Sequence, residues 1–160
     1  MHPRRQLLSA LPMLGASIAA TAATPAAPAA QPRERFPGDP PEHHLVYQLN
    51  HIEAEYIEHI LGSVGAMIGK YGDNVGLAVV VFARGIHLLA KKPLRPVPQA
   101  LRERARSQAR DYGVRFVACG NTMQTLGWTA ADMVDFADVE PIGAATIMEL
   151  QEKGWAYIAW

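Results

Sequence analysis

The chain has 160 residues, 15 basic and 15 acidic, and one cysteine. Its length accommodates a single ordinary domain and no second one, and the lone cysteine excludes any internal disulfide. The thiol is therefore a buried filler, an intermolecular link or a reactive group.

Arg4 and Arg5 precede a mostly apolar stretch from Leu7 to Ala20, followed by the small residues Ala20-Thr21-Ala22. This is the order of a secretory signal peptide, read here as residues 1–23, and the apolar stretch is shorter than the roughly 20 residues a membrane span needs. The paired arginines partly match the twin-arginine export signal. Residues 24–42 are rich in Ala and Pro and read as a disordered tether. The expected location is the periplasm. Removal of the signal peptide takes away Arg4 and Arg5 and no acid, leaving a mildly acidic domain over 43–160.

That domain begins with a short apolar run, Leu45 to Leu49, ended by Asn50. From Ile52 the positions Tyr56, Ile57, Ile60, Leu61, Val64 and Ile68 recur at helical spacing, and Asn50 with Glu53 resembles a capping pair. Gly72-Asp73-Asn74 breaks this helix before Val75 to Phe82, a nearly continuous apolar run that predicts a strand buried on both faces. Ile86 to Ala90 reads as a short helical piece, Pro93 to Pro98 as a turn, and Gln99 to Tyr112 as a helix stopped by Gly113. Val114 to Ala118 predicts a third strand. Thr129, with Asp132 three residues on, caps another short helix. Phe136 to Pro141 predicts a brief fourth strand, Ala144 to Lys153 the last helix with Gly154 as its stop, and Trp155 to Trp160 a final strand.

Strands separated by helical segments predict an α/β three-layer sandwich, a mostly parallel sheet of about five strands with helices on both faces. In such sheets sites form outside the carboxyl ends of the strands. Cys119 leaves the third strand there, and Asn50 and Arg84 leave the first and second at the same edge. A thiol facing the backbone donors of a Gly120-Asn121-Thr122 turn, or a nearby guanidinium, has its thiolate favoured, which suits a nucleophile. A free cysteine at a strand end also serves as a space filler.

The stretch "YGVRFVACGNTMQTLGW", with "VVVFARGIHLLA" before it and "ADVEPIGAATIMELQEKGWAYI" after it, resembles the DsrE/DsrF-like family, small α/β proteins that include sulfur-relay subunits. The likeness covers His43 to Trp160. In members of the relay type a cysteine that follows the strand entered through a Gly-Val pair carries persulfide sulfur; the matching residues here are Gly113-Val114 and Cys119. The resemblance implies Cys119 as the catalytic residue and a trimer or hexamer; position at the strand ends makes Asn50, Arg84, Gly85, Gly120, Asn121 and Thr122 the candidate substrate-binding residues. Many exported relatives have a histidine before the glycine that follows the second strand, where this chain has Arg84. No second cysteine is available to pass sulfur on within the chain.

His51, Glu55 and His59 are spaced by four, but three ligands along one helix span about 12 Å, too far for one ion; a solvated face is expected and no metal or cofactor. The stretch from Lys91 to Arg115 carries eight basic residues against Glu103 and Asp111. Nucleic acid is not the expected partner, and the acids at Asp132, Asp135, Asp138 and Glu140 point to complementary charge between subunits. No Walker-type loop, dinucleotide glycine signature or repeat is present. Two functions follow: a periplasmic carrier of sulfane sulfur on Cys119, served by a donor or acceptor protein, or a non-catalytic oligomeric module that binds a small anion or a partner protein at the strand ends, with Cys119 structural. After cleavage neither has a stable membrane span.

Overall fold

The computed structural model describes residues 35, 36 and 38–160; the expected signal peptide and most of the expected tether lie outside them. Five strands form one sheet in the order β4-β3-β2-β1-β5, with β1 at His43–Leu49, β2 at Val75–Val81, β3 at Arg115–Cys119, β4 at Ala137–Glu140 and β5 at Ala156–Ile158. Every pairing is parallel. The helices are α1 (Ala54–Tyr71), α2 (Gln99–Tyr112), α3 (Gly120–Thr125) and α4 (Gly143–Glu152). Among the described residues no helix is long and apolar enough to cross a membrane.

Strand order decides which helix covers which face. The steps from β1 to β4 all run in one direction, so right-handed crossovers place α1, α2 and α3 on one face. The step from β4 to β5 runs back across the sheet and puts α4 on the other. The core divides accordingly. Leu45, Tyr47, Leu49, Leu77, Val79, Val81, Phe116 and Ala118 pack with Ile57, Ile60, Leu61 and Val64 of α1, Leu101 and Ala105 of α2 and Met123 of α3. The alternate strand residues Val46, Ala78, Val80 and Val117 pack with Ile147 and Leu150 of α4. Because successive side chains of a strand point to opposite faces, both sets must be apolar, and the unbroken run in β2 follows.

Gly113 closes α2 at φ 67° and ψ 23°, its N–H bonded to the Ala109 carbonyl at 3.1 Å, the left-handed stop expected of it. Thr129 and Asp132 form a reciprocal capping box on a single 3₁₀ turn, Ala130–Asp132. Ala83–Leu88 is a longer 3₁₀ stretch where Ile86 to Ala90 was expected to be helical.

Other expectations are corrected. Gly120, Asn121 and Thr122 open the helix α3 instead of forming a turn. Asn50 and Glu53 do not make a capping pair: the Asn50 side-chain oxygen accepts the Tyr56 hydroxyl at 2.9 Å, and the Glu53 carboxylate accepts the Ile52 N–H at 3.1 Å. His51 precedes α1, so it does not stack with Glu55 and His59 along one helix. Three of the four acids Asp132, Asp135, Asp138 and Glu140 have partners within the chain, Arg110 with Asp135, and Arg115 with Asp138 at 2.8 Å and Glu140 at 2.7 Å, while Asp132 accepts from Thr129. The register of β3 with β4, in which Phe116 faces Ala137 and Cys119 faces Glu140, brings these charges together.

Candidate functional site

Cys119 is the last residue of β3 and the residue before α3, so its side chain leaves the sheet at the carboxyl edge. Alternation from Val117 turns it toward the α4 face. There the Gly143 N–H, the first of α4, points at Sγ from 3.2 Å. A helix N-terminus carries partial positive charge, so a thiolate is the form that this contact favours. The thiol is free and only 5% exposed.

Burial pushes the Cys119 thiol up, but the N–H groups of Gly143 and Thr122, the Thr122 hydroxyl and the Asn121 N–H outweigh it and leave the thiol below its ordinary range. Asn121 contributes least, and its N–H also donates to the Pro141 carbonyl at 2.9 Å. Thr122 contributes through a fixed orientation. Its hydroxyl oxygen accepts the Ala83 N–H at 3.2 Å, which leaves the hydroxyl hydrogen free to turn to sulfur.

Two glycines permit these approaches. A Cβ on Gly143 would lie 3.1 Å from Cys119 Cβ and 3.2 Å from Val80 Cγ1. One on Gly120 would lie 3.2 Å from the Glu140 carbonyl oxygen. Any larger residue at Gly143 would hold the start of α4 away from the thiol. The loop before α4, Pro141 and Ile142, is exposed and borders a groove of about 130 Å³ with Ala145, Thr146 and Glu149.

The remaining sequence-derived candidates form a neighbouring group. Ala83 holds a left-handed φ of 48°, a conformation that costs a non-glycine residue on the order of 1 kcal/mol, and passes the chain from β2 to Arg84. The Arg84 guanidinium lies 3.6 Å from Glu53 and 3.4 Å from His51, so its partners lie in the loop after β1. Asn50 is bound to Tyr56 in the same loop. Gly85 is buried, and a Cβ there would lie 2.5 Å from the Leu49 carbonyl oxygen, so its geometry serves the close approach of β1. Cys119, Gly120, Asn121 and Thr122 thus form one cluster, joined through Ala83 to Arg84 after β2, whose contacts reach His51 and Glu53 in the loop after β1 that also carries Asn50. Gly143, Pro141 and Ala83 escaped the sequence reading. The one signal for them was Pro141 to Gly143 immediately beyond the fourth strand, at the same sheet edge. Among the described residues no group of three His, Cys, Asp or Glu side chains converges as a metal site.

The chain matches the model of the DsrE/DsrF-like family over residues 37–160. It is also similar to the solved structure of a protein of unknown function from Methanobacterium thermoautotrophicum, at 23% identity and a TM-score of 0.65, over 74% of this chain and 100% of that one. That likeness concerns the fold. Among curated proteins none matches the chain.

Proposed function

Since the chain belongs to the DsrE/DsrF-like family, we propose that it handles sulfur, with Cys119 accepting sulfane sulfur and carrying it as a persulfide. The observation that carries this reading is the Gly143 N–H aimed at Sγ from 3.2 Å, which favours the anion needed for attack. The thiolate of Cys119 attacks the outer sulfur of a donor persulfide. The donor's S–S bond breaks, the donor leaves as a thiolate with the bonding pair, and Cys119 gains one sulfur, so no external oxidant or reductant is needed. The same N–H groups then face the new anion. Because Cys119 is 5% exposed, a bulky donor or acceptor requires local opening around the thiol. Arg84 and Asn50 stand in the adjacent loops after β2 and β1, where an anionic donor or a partner protein would first meet the edge. In this reading the chain is exported through its Arg4-Arg5 signal and works in the periplasm as a homo-oligomer, served by separate donor and acceptor proteins.

The burial of Cys119 favours a second reading, a non-catalytic oligomeric module that binds an anion or a partner at the strand ends with Cys119 structural. Incubation with a sulfane donor followed by intact mass analysis separates the two. The carrier gains the mass of one sulfur atom, and Cys119→Ser folds and gains none. A native thiol that resists both sulfur loading and alkylation until denaturation would establish the binding module.

A further inference from the structure

His87, in the 3₁₀ stretch Ala83–Leu88 after β2, is 3% exposed, and its Nδ1 is buried with no hydrogen-bond partner among the described residues. The Trp128 indole stands against it, ring centres 5.2 Å apart and planes at 88°. Trp128 lies just beyond α3, the helix whose other end starts at Cys119. A buried imidazole thus joins the stretch after β2 to the segment that closes α3.

The two sides of this contact are not equally anchored. Gly85, Ile86 and Leu88 around His87 are buried, and their stretch is tied at both ends, by the Phe82 N–H to the Leu49 carbonyl at 3.1 Å and by the Val134 N–H to the Leu89 carbonyl at 2.8 Å. Leu126, Gly127 and Trp128 have no such tie. Their N–H groups bond back into α3, to the carbonyls of Met123, Gln124 and Met123 at 3.0, 3.1 and 3.0 Å, and Gly127 holds a left-handed φ of 69°, suited to a hinge. What closes this segment is side-chain packing, since Leu126 and Trp128 lie partly buried against the core.

Neither side supplies an acid to meet an imidazolium. Residues 120–131 contain no ionisable side chain, and residues 89–98 carry Lys91, Lys92 and Arg95 and no acid. Arg84, on the same stretch as His87, faces Glu53 and His51; Arg102 reaches in from α2 to the Ala90 carbonyl; the Asp132 carboxylate is bound to Thr129. We propose that His87 is an acid-released latch: with the imidazole neutral the Leu126–Trp128 segment stays closed on it, and uptake of a proton frees that segment while the sheet stays folded. The latch stands whether or not Cys119 carries sulfur. In the closed form burial, and then Arg95, hold the imidazole below its ordinary value; in the open form water restores that value, about 6.5. Opening therefore takes up a proton, and its equilibrium constant rises about tenfold per pH unit below 6.5 until the closed form titrates as well.

Hydrogen exchange of the ¹⁵N-labelled full-length protein, corrected for the intrinsic rate at each pH, tests the latch. A six-residue helix has no stability of its own, so release unwinds its end and frees the Leu126, Gly127 and Trp128 amides. Their protection should fall about tenfold per pH unit below about 6.5 and ignore low urea, whereas the core amides of Val79 and Phe116, which open only with the whole fold, should respond to urea. His87→Phe should make the protection of the segment independent of pH. Arg95→Gln, a change at an exposed residue, removes the like charge and should make the fall level off at a higher pH. Protection that is flat in acid, that rises because the indole retains the imidazolium by cation–π attraction, or that falls equally in His87→Phe overturns the inference, as do segment amides that follow the strands in urea.

Discussion

At the scale of single residues, Cys119 joins stability to pH. Its folded pKa lies below that of an unfolded thiol because the Gly143 and Thr122 donors outweigh burial. The native state therefore binds fewer protons than the unfolded state between the two values, and stability in that window rises with pH. The contribution is complete above the unfolded value, about 8.5, and is lost as pH falls through the folded one. Chemical denaturation of the native protein and of Cys119→Ser at several pH values should show this slope in the former only. Alkylation of the folded protein should likewise reach half its maximal rate below pH 8.5. Gly143→Ala should move that midpoint upward and cost about 1–3 kcal/mol, because its Cβ would press on Cys119 and Val80.

His87 acts in the opposite part of the pH range. It is buried edge-on to Trp128, its Nδ1 has no partner among the described residues, and burial, with Arg95 nearby, holds its pKa below the ordinary imidazole value. The unfolded state takes up a proton near pH 6.5 while the native state refuses it, so stability falls as pH drops below about 6.5 and levels off below the folded value. His87→Phe, which keeps the aromatic contact, should flatten this acid limb in thermal melts.

At the scale of elements, the strands and long helices were legible because their apolar positions keep a period. Val75 to Val81 is apolar throughout, since alternate residues feed two cores, and Ile57, Ile60, Leu61 and Val64 mark one stripe of α1. The place of Cys119 at the carboxyl edge was legible for the same reason. The helix α3 was not. Gly120, Asn121 and Thr122 are poor helix formers, and α3 is held by tertiary contacts, among them Asn121 N–H to Pro141 and Ala83 N–H to Thr122. Gly143 was hidden for a different reason. Its bond to a thiol 24 residues away exists only because α4 lies on the opposite face, and that depends on β5 pairing with β1, which no local pattern announces. Ala83→Gly tests the strained link between the β2 loop and α3. Relief of the left-handed φ should add up to about 1 kcal/mol, measured by denaturant unfolding, after allowance for the greater freedom of glycine in the unfolded chain.

At the scale of the whole molecule, β5 is an edge strand with Tyr157 exposed and Trp160 exposed just beyond it, and Ile142 in the loop before α4 and Met148 on α4 are further exposed apolar residues. Such an edge is ordinarily covered, and the expected cover is another subunit. Light scattering at micromolar concentration should give a mass of three or six chains, and Trp160→Ser should lower it.

The sheet order also sets a schedule for the growing chain. β1 is the first strand to be made, yet one of its two neighbours, β5, is the last: Leu45 pairs with Ala156 and Tyr47 with Ile158. Until synthesis reaches that point, the free side of a buried, apolar strand offers unpaired N–H and C=O groups to any passing chain. Completion of β5, not the making of the core helices, is then the event that covers this side of β1. A chain cut after Gly154 should retain most of its secondary structure and still form aggregates, while added peptide corresponding to residues 155–160 should delay them.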